Sequence, residues 1–443
     1  MEHGLDTEVL VAVAACIVVW ALVSGLVQRW SVSAPIAFVA LGLLVTHGPL
    51  RIGLNPHSST ILSLAEVTLA LVLFTDASRV NVGRLRHDLG LPVRLLAVGL
   101  PLTIGFGTAV AFGLIPGIGI WVAASVAAIV APTDAALGAT IMEDTRIPNR
   151  IRRLLNVESG LNDGIATPFV NLFLAGAVST ETAQTGGSEL TAAVRELLVG
   201  AGVGVGLGLL GGWLVSRAVA AGWSAPGFRP LVVLGLALLA YGLALQWSGN
   251  GFVAAFVGGM SFGSLVPDGL DELVLFAERV GGLLALLVWL IFGAVLVVPG
   301  FEAATWQDYV FAVLALTALR MVPVALALLG SGLDRATVAL IGWFGPRGLA
   351  SVVFGLIAYD TLDHQGGNHV LGLVVVTVTG SVLAHGLTAG PLAARYGGFA
   401  ATLVDRRPER RSTPALRTRP SLAFHPPGPS GGDAGDAAGP PPG

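Results

Sequence analysis

Four ionisable side chains lie inside long apolar stretches: Asp134, Glu158, Asp163 and Arg347. Charge is expensive in hydrocarbon, so residues of this kind mark ion or proton pathways by default. Asp134 lies twelve residues from Arg146, Asp163 ten from Arg153 and Arg347 twelve from Arg335. At ~1.5 Å of helical rise per residue all three come out ~15–18 Å deep, close to the middle of a ~30 Å hydrocarbon core. In Glu158-Ser159-Gly160-Leu161-Asn162-Asp163 the residues Ser159 and Asp163 share a helix face. Glu158 projects ~140° away from Asp163 and serves a different neighbour. Asp163, Ser159, Asn162 and the dipeptide Thr133-Asp134 offer hard oxygen ligands, which suit Na⁺ or Li⁺ and give soft metals no foothold. Glu158 is expected to pair with Arg347, which would otherwise be an unpaired buried charge. A buried carboxylate such as Asp163 takes either a proton or a cation, because burial favours its neutral form and a bound cation its ionised form.

These residues need particular elements to position them. Asp134 sits in Ala131-Pro132-Thr133-Asp134 and Arg347 in Gly345-Pro346-Arg347-Gly348. Proline removes a backbone donor and glycine weakens a helix, so both segments are expected to be interrupted. About thirteen apolar segments of membrane-crossing length are expected, near 8–28, 33–50, 60–78, 92–114, 118–141, 154–178, 191–220, 229–247, 250–266, 275–298, 307–330, 336–358 and 369–393. The two interrupted segments are the fifth and twelfth, which are equivalent positions if two inverted six-helix repeats flank the seventh. Paired broken helices crossing at the midplane are the strongest sequence pointer to a transporter's binding site. The expected fold is therefore an all-α polytopic membrane protein.

Composition agrees, with 443 residues of which 54% are hydrophobic and 12% charged; soluble domains carry about a quarter charged residues. The arginines, which supply every basic side chain, fall mainly in alternate loops, including Arg79, Arg84, Arg86, Arg146, Arg150, Arg152 and Arg153. By the positive-inside rule the N-terminus is expected outside and the C-terminus in the cytoplasm, in a plasma (inner) membrane. Cys16 alone permits neither a disulfide framework nor a cysteine metal site. No His-Glu-x-x-His or Gly-x-Gly-Asp motif supports an intramembrane protease, and no enzyme activity is expected. A cation channel is a rival, but a titratable aspartate beside paired helix breaks fits obligatory exchange better. From residue 404 the chain turns to Arg406, Arg407, Arg410 and Arg411 and then to a Pro/Gly/Ala run, expected to be a disordered cytoplasmic tail over 404–443.

Thr133-Asp134, the string Glu158 through Gly164 and the Gly345–Gly348 break together resemble the monovalent cation:proton antiporter family of the NhaP/NHE type. The likeness covers nearly all of residues 1–395. It implies secondary active antiport of Na⁺, or of another monovalent cation such as Li⁺ or K⁺, against H⁺ by alternating access, in the service of pH homeostasis. The neutral Asn162 beside Asp163 implies electroneutral exchange. The resemblance places the ion ligands on Thr133, Asp134, Ser159 and Asp163, with Asn162, Glu158, Arg347 and Arg320 in support. Asp76 and Glu66 stand where a third-segment ligand would fall, although Asp76 is also placed to pair with Arg79. Within a membrane domain 1–403, helices of about 92–178 and 307–395 would form a core moving against a dimerising scaffold of about 1–90 and 191–298. The implied partners are the cation, the proton, the bilayer and a second copy of the chain, with neither cofactor nor nucleic acid.

Overall fold

The computed structural model describes residues 7–29, 32–48, 51–53, 58–79, 90–135, 137–181, 187–266, 271–404 and 407–410. It is all-helical among those residues. The helices are α1 (Thr7–Arg29), α2 (Ala34–His47), α3 (Ser59–Ser78), α4 (Gly90–Leu114), α5 (Ile120–Val130), α6 (Ala139–Glu143) and α7 (Asn149–Glu181). They continue as α8 (Gly187–Ala220), α9 (Leu231–Gln246), α10 (Gly251–Leu265), α11 (Glu272–Ala303), α12 (Trp306–Ala327), α13 (Arg335–Trp343), α14 (Leu349–Thr361) and α15 (His364–Ala401).

Nine of the described helices are long and apolar enough to cross a membrane, and α2, α5, α10 and α14 are shorter apolar helices. The expected count of thirteen full crossings is thus not reached on length alone. Helices α5 and α14 are halves of interrupted segments, and α2 and α10, at 14 and 15 residues, rise only ~21–23 Å. Both breaks fall where proline and glycine place them: α5 stops at Val130 before Pro132, and α13 stops at Trp343 before Gly345-Pro346.

One set of helices packs as α3, α8, α9, α10 and α11, with α2 against α11. Glycines make the α8–α10 contact close: a Cβ at Gly204 would lie 2.6 Å from the Ala254 carbonyl oxygen. Another set joins α4 to α5, α5 to α7, and α15 to α12 and α14. The two meet where α3, α8 and α10 touch α7, where α3 touches α14 and where the end of α11 touches α15. At that seam the ring of Phe256 on α10 occupies the space a side chain at Gly164 would need, next to Asp163.

Arg79 gains a partner here, and one expectation changes. Arg79 makes a two-point ion pair with Glu278 on α11, a partner out of reach of sequence reading because it lies about 200 residues away. The segment expected to be disordered from 404 is ordered over 407–410, where Pro408–Arg410 forms a 3-10 turn with Glu409 fully buried. Glu409 Oε1 accepts from Asp334 N at 2.6 Å and from Thr337 Oγ1 at 3.2 Å. Arg150 donates to the Pro408 carbonyl at 2.6 Å, and Arg410 to that of Ala400 at 2.9 Å. The turn thereby ties the ends of α7, α13 and α15, and the carboxylate sits where the N-terminal dipole of α13 favours negative charge. Residues 411–443, like Arg84 and Arg86, lie outside the described residues.

Candidate functional site

The two breaks cross and complete one another. Every interrupted helix strands backbone groups that hydrocarbon cannot satisfy, so protein must do it. Asp134 N donates to the Pro346 carbonyl at 2.8 Å, main chain to main chain across the crossing. Asp134 Oδ2 accepts from Leu349 N at 3.1 Å and so caps the N-terminus of α14. In the reverse direction the Arg347 guanidinium donates to the carbonyls of Ala131 and Pro132 at the end of α5, and at 2.8 Å to that of Ala315 on α12. Ser351 adds a 2.7 Å bond to the Ile129 carbonyl. A β-carbon at Gly348 would overlap the Asp134 carboxylate, and one at Gly345 would overlap the Arg320 side chain. The Gly-Pro-Arg-Gly sequence thus makes room for an acidic cap on one side and a guanidinium on the other.

Sequence reasoning paired Glu158 with Arg347; in the structure Glu158 Oε1 accepts from Arg320 Nη2 at 2.7 Å. All three side chains are buried, Arg347 at 1% exposure, Glu158 at 3% and Arg320 at 5%. The physical reason is that stranded carbonyls compete for guanidinium N–H groups. Arg347 bonds three of them, which leaves Arg320 to supply the ion pair.

Beside this frame, α7 brings Ser159 and Asn162 onto the first break. Asn162 Nδ2 donates to Thr133 Oγ1 at 2.6 Å, and Thr133 Oγ1 lies 3.1 Å from Ser159 Oγ. All three are at most 5% exposed. Asn162 Oδ1 and Glu158 Oε2 are buried there with no hydrogen-bond partner. Asp163 follows Asn162, one turn beyond Ser159 on the same face, and is partly exposed. Its main-chain carbonyl accepts from Thr167 at 2.8 Å. The structure therefore gathers Thr133, Asp134, Ser159, Asn162, Glu158, Arg320 and Arg347 around the crossing, with Asp163 next to them on α7. Glu66 instead accepts from Tyr241 at 3.0 Å, a bond between α3 and α9, and Asp76 is partly buried near the end of α3. Among the described residues no group of three or more His, Cys, Asp or Glu side chains forms a metal site; the oxygens here are those of hydroxyls, amide and single carboxylates, a set for a weakly held monovalent ion. Residues that sequence reading left aside are Ser351 and Ser381, whose hydroxyls bond the backbone of the two breaks. Their one signal was polarity within apolar helices.

Comparison with known proteins places this geometry. Residues 14–395 match the family model for the transmembrane sodium/hydrogen exchanger. The chain is 25% identical over 353 residues to the K(+)/H(+) antiporter NhaP2 of Shewanella baltica, covering 76% of this chain and 58% of that protein. It is 25% identical to the K(+)/H(+) antiporter NhaP of Alkalimonas amylolytica, covering 74% and 57%. A sodium, potassium, lithium and rubidium/H(+) antiporter of Bacillus pumilus is 33% identical over 172 residues, covering 37% and 23%. This chain thus spans less than three-fifths of the length of the curated relatives it matches. The fold is that of the sodium proton antiporter MjNhaP1 from Methanocaldococcus jannaschii, with a TM-score of 0.72 at 19% identity over 88% of this chain and 100% of that one. The chain is a multi-pass membrane protein and belongs to the sodium/hydrogen exchanger family.

Proposed function

We propose that this protein exchanges a monovalent cation, Na⁺, Li⁺ or K⁺, for a proton across the plasma membrane by alternating access. The observation that carries the reading is the charge count at the crossing. Two arginines, Arg320 and Arg347, stand against three carboxylates, Asp134, Glu158 and Asp163. Ionised, these five groups are short of one positive charge, which one proton or one monovalent cation supplies. Asp163 is the residue assigned to carry it, being partly exposed and one turn beyond Ser159 on the same face of α7. Thr133, Ser159 and the unpartnered Asn162 Oδ1 provide further oxygens for the cation. One load per cycle, either proton or cation, makes the exchange electroneutral and requires no cofactor or catalysis. K⁺ stands beside Na⁺ as cargo because the relatives' names include both.

In this reading the helices that hold the crossing, about 92–178 and 307–395, move as a core against a scaffold of about 1–90 and 191–298, which also forms a homodimer. The arginine distribution orients the N-terminus outside and the C-terminus in the cytoplasm. The test is purified protein in proteoliposomes with an imposed pH gradient, to which Na⁺, Li⁺ and K⁺ are added in turn with and without a voltage clamp. The expected result is gradient dissipation by at least one cation, independent of the clamp. A cation current without proton movement would establish a channel instead.

A further inference from the structure

Both ends of the second break are tied to a single turn of α15. Ser381 Oγ accepts from Arg347 N at 2.6 Å, which holds the exit of the break. His385 Nε2 lies 2.9 Å from the carbonyl oxygen of Trp343, the last residue of α13, which holds its entrance. A carbonyl oxygen only accepts, so Nε2 carries a proton and donates. Nδ1 faces Ser381 itself, 3.1 Å from Oγ and 2.9 Å from its carbonyl. Nδ1 accepts the Ser381 hydroxyl proton in a neutral ring or donates to the Ser381 carbonyl in a charged one; the Nε2–H bond to Trp343 survives either way. His385 is 1% exposed and Ser381 fully buried. The imidazole also packs against the rings of Trp343 and Phe344, 5.4 and 6.1 Å between centroids, and Phe344 in turn lies against Gly138 just past the first break.

We propose that His385 and Ser381 are the positioning residues of the exchange: they fix the Trp343–Arg347 segment so that Pro346 and Arg347 meet the first break. Their influence on the first break passes through the Pro346 carbonyl to Asp134 and through the Arg347 guanidinium to Ala131 and Pro132. The inference rests on the antiport reading, and a wild-type control separates the two: if wild type moves no protons when cation is added, the antiport reading itself fails.

The experiment compares His385→Gln, His385→Asn, His385→Ala and Ser381→Ala in proteoliposomes, with rates normalised to folded protein in the membrane. Gln places an amide N–H where Nε2 was, whereas Asn mimics only the Nδ1 side and leaves the Trp343 carbonyl without a donor. The oxygens of Asp163, Ser159 and Asn162 stand on the unbroken α7, and Thr133 is bonded to that helix through Asn162 and Ser159, so cation affinity should hold while the movement of the crossing suffers. The expected result is a maximum rate about tenfold lower in the Asn, Ala and Ser381→Ala variants, as for the loss of one buried hydrogen bond. The half-saturating cation concentration should stay within about twofold, as should the rate of the Gln variant. Wild-type rates in His385→Ala would overturn the proposal. So would a Gln variant as slow as Ala, or a changed half-saturating concentration at an unchanged maximum rate.

Discussion

Replacing Glu158 by Gln tests the ion pair that the structure assigns. The Glu158 carboxylate and the Arg320 guanidinium are 2.7 Å apart, with side chains 4% and 6% exposed. Neutralising Glu158 leaves Arg320 buried without its counter-charge in a cluster that also holds Arg347. Removing one partner of a buried pair destabilises by about 3–5 kcal/mol, whereas replacing both by apolar residues of similar volume is often neutral or better. Glu158→Gln, Glu158→Leu and Arg320→Met should each therefore destabilise by several kcal/mol, and the double variant Glu158→Leu/Arg320→Met should recover much of the loss. The coupling in that cycle should exceed about 2 kcal/mol. The corresponding cycle with Arg347→Met should couple less, because Arg347 is held by the carbonyls of Ala131, Pro132 and Ala315 and its removal strands those acceptors whatever stands at 158. Tryptophan-fluorescence melts of the purified protein in detergent report the ordering. Stronger coupling of Glu158 to Arg347 than to Arg320 would refute the assignment and restore the pairing read from sequence.

Three further outcomes follow from local packing. Gly348→Ala places a methyl group on the Asp134 carboxylate, so exchange should fall more than about tenfold. Gly390→Ala on α15 meets nothing within 4 Å, and should transport as wild type. Glu409→Ala deprives Asp334 N and Thr337 Oγ1 of an acceptor, which should destabilise the protein by about 1–3 kcal/mol. A melting temperature equal to wild type would show that the turn does not clasp the helix ends.

Legibility from sequence followed the physics of each feature. Bilayer thickness imposes segment length, so most apolar segments could be placed to within a few residues, although α15 runs eight residues past its expected end. The breaks were legible because Pro132 and Pro346 remove donors no neighbour in hydrocarbon can replace. Helical rise put Asp134, Asp163 and Arg347 at one level, and the structure brings Asp134 and the Arg347 segment together at the crossing. What stayed hidden is what each side chain does with the groups a break strands. Charge pairing alone led to Glu158–Arg347, because carbonyls such as those of Ala131 and Ala315 carry no mark in a sequence. Asp134 reads as a ligand by type, and only the Leu349 N–H bond reveals it as a cap. Glu409 sits in a stretch whose Arg and Pro content reads as a solvated tail. Its burial depends on Asp334 and Thr337, some seventy residues earlier in the chain.

The central claim is that one carboxylate, Asp163, carries proton and cation in turn. Proton and labelled-cation fluxes measured together in proteoliposomes of wild type and Asp163→Asn test it directly. Wild type should move both in fixed opposition, and Asp163→Asn should move neither while keeping its melting temperature. Exchange at the wild-type rate in Asp163→Asn would contradict it, as would a variant that loses proton movement yet still passes the cation.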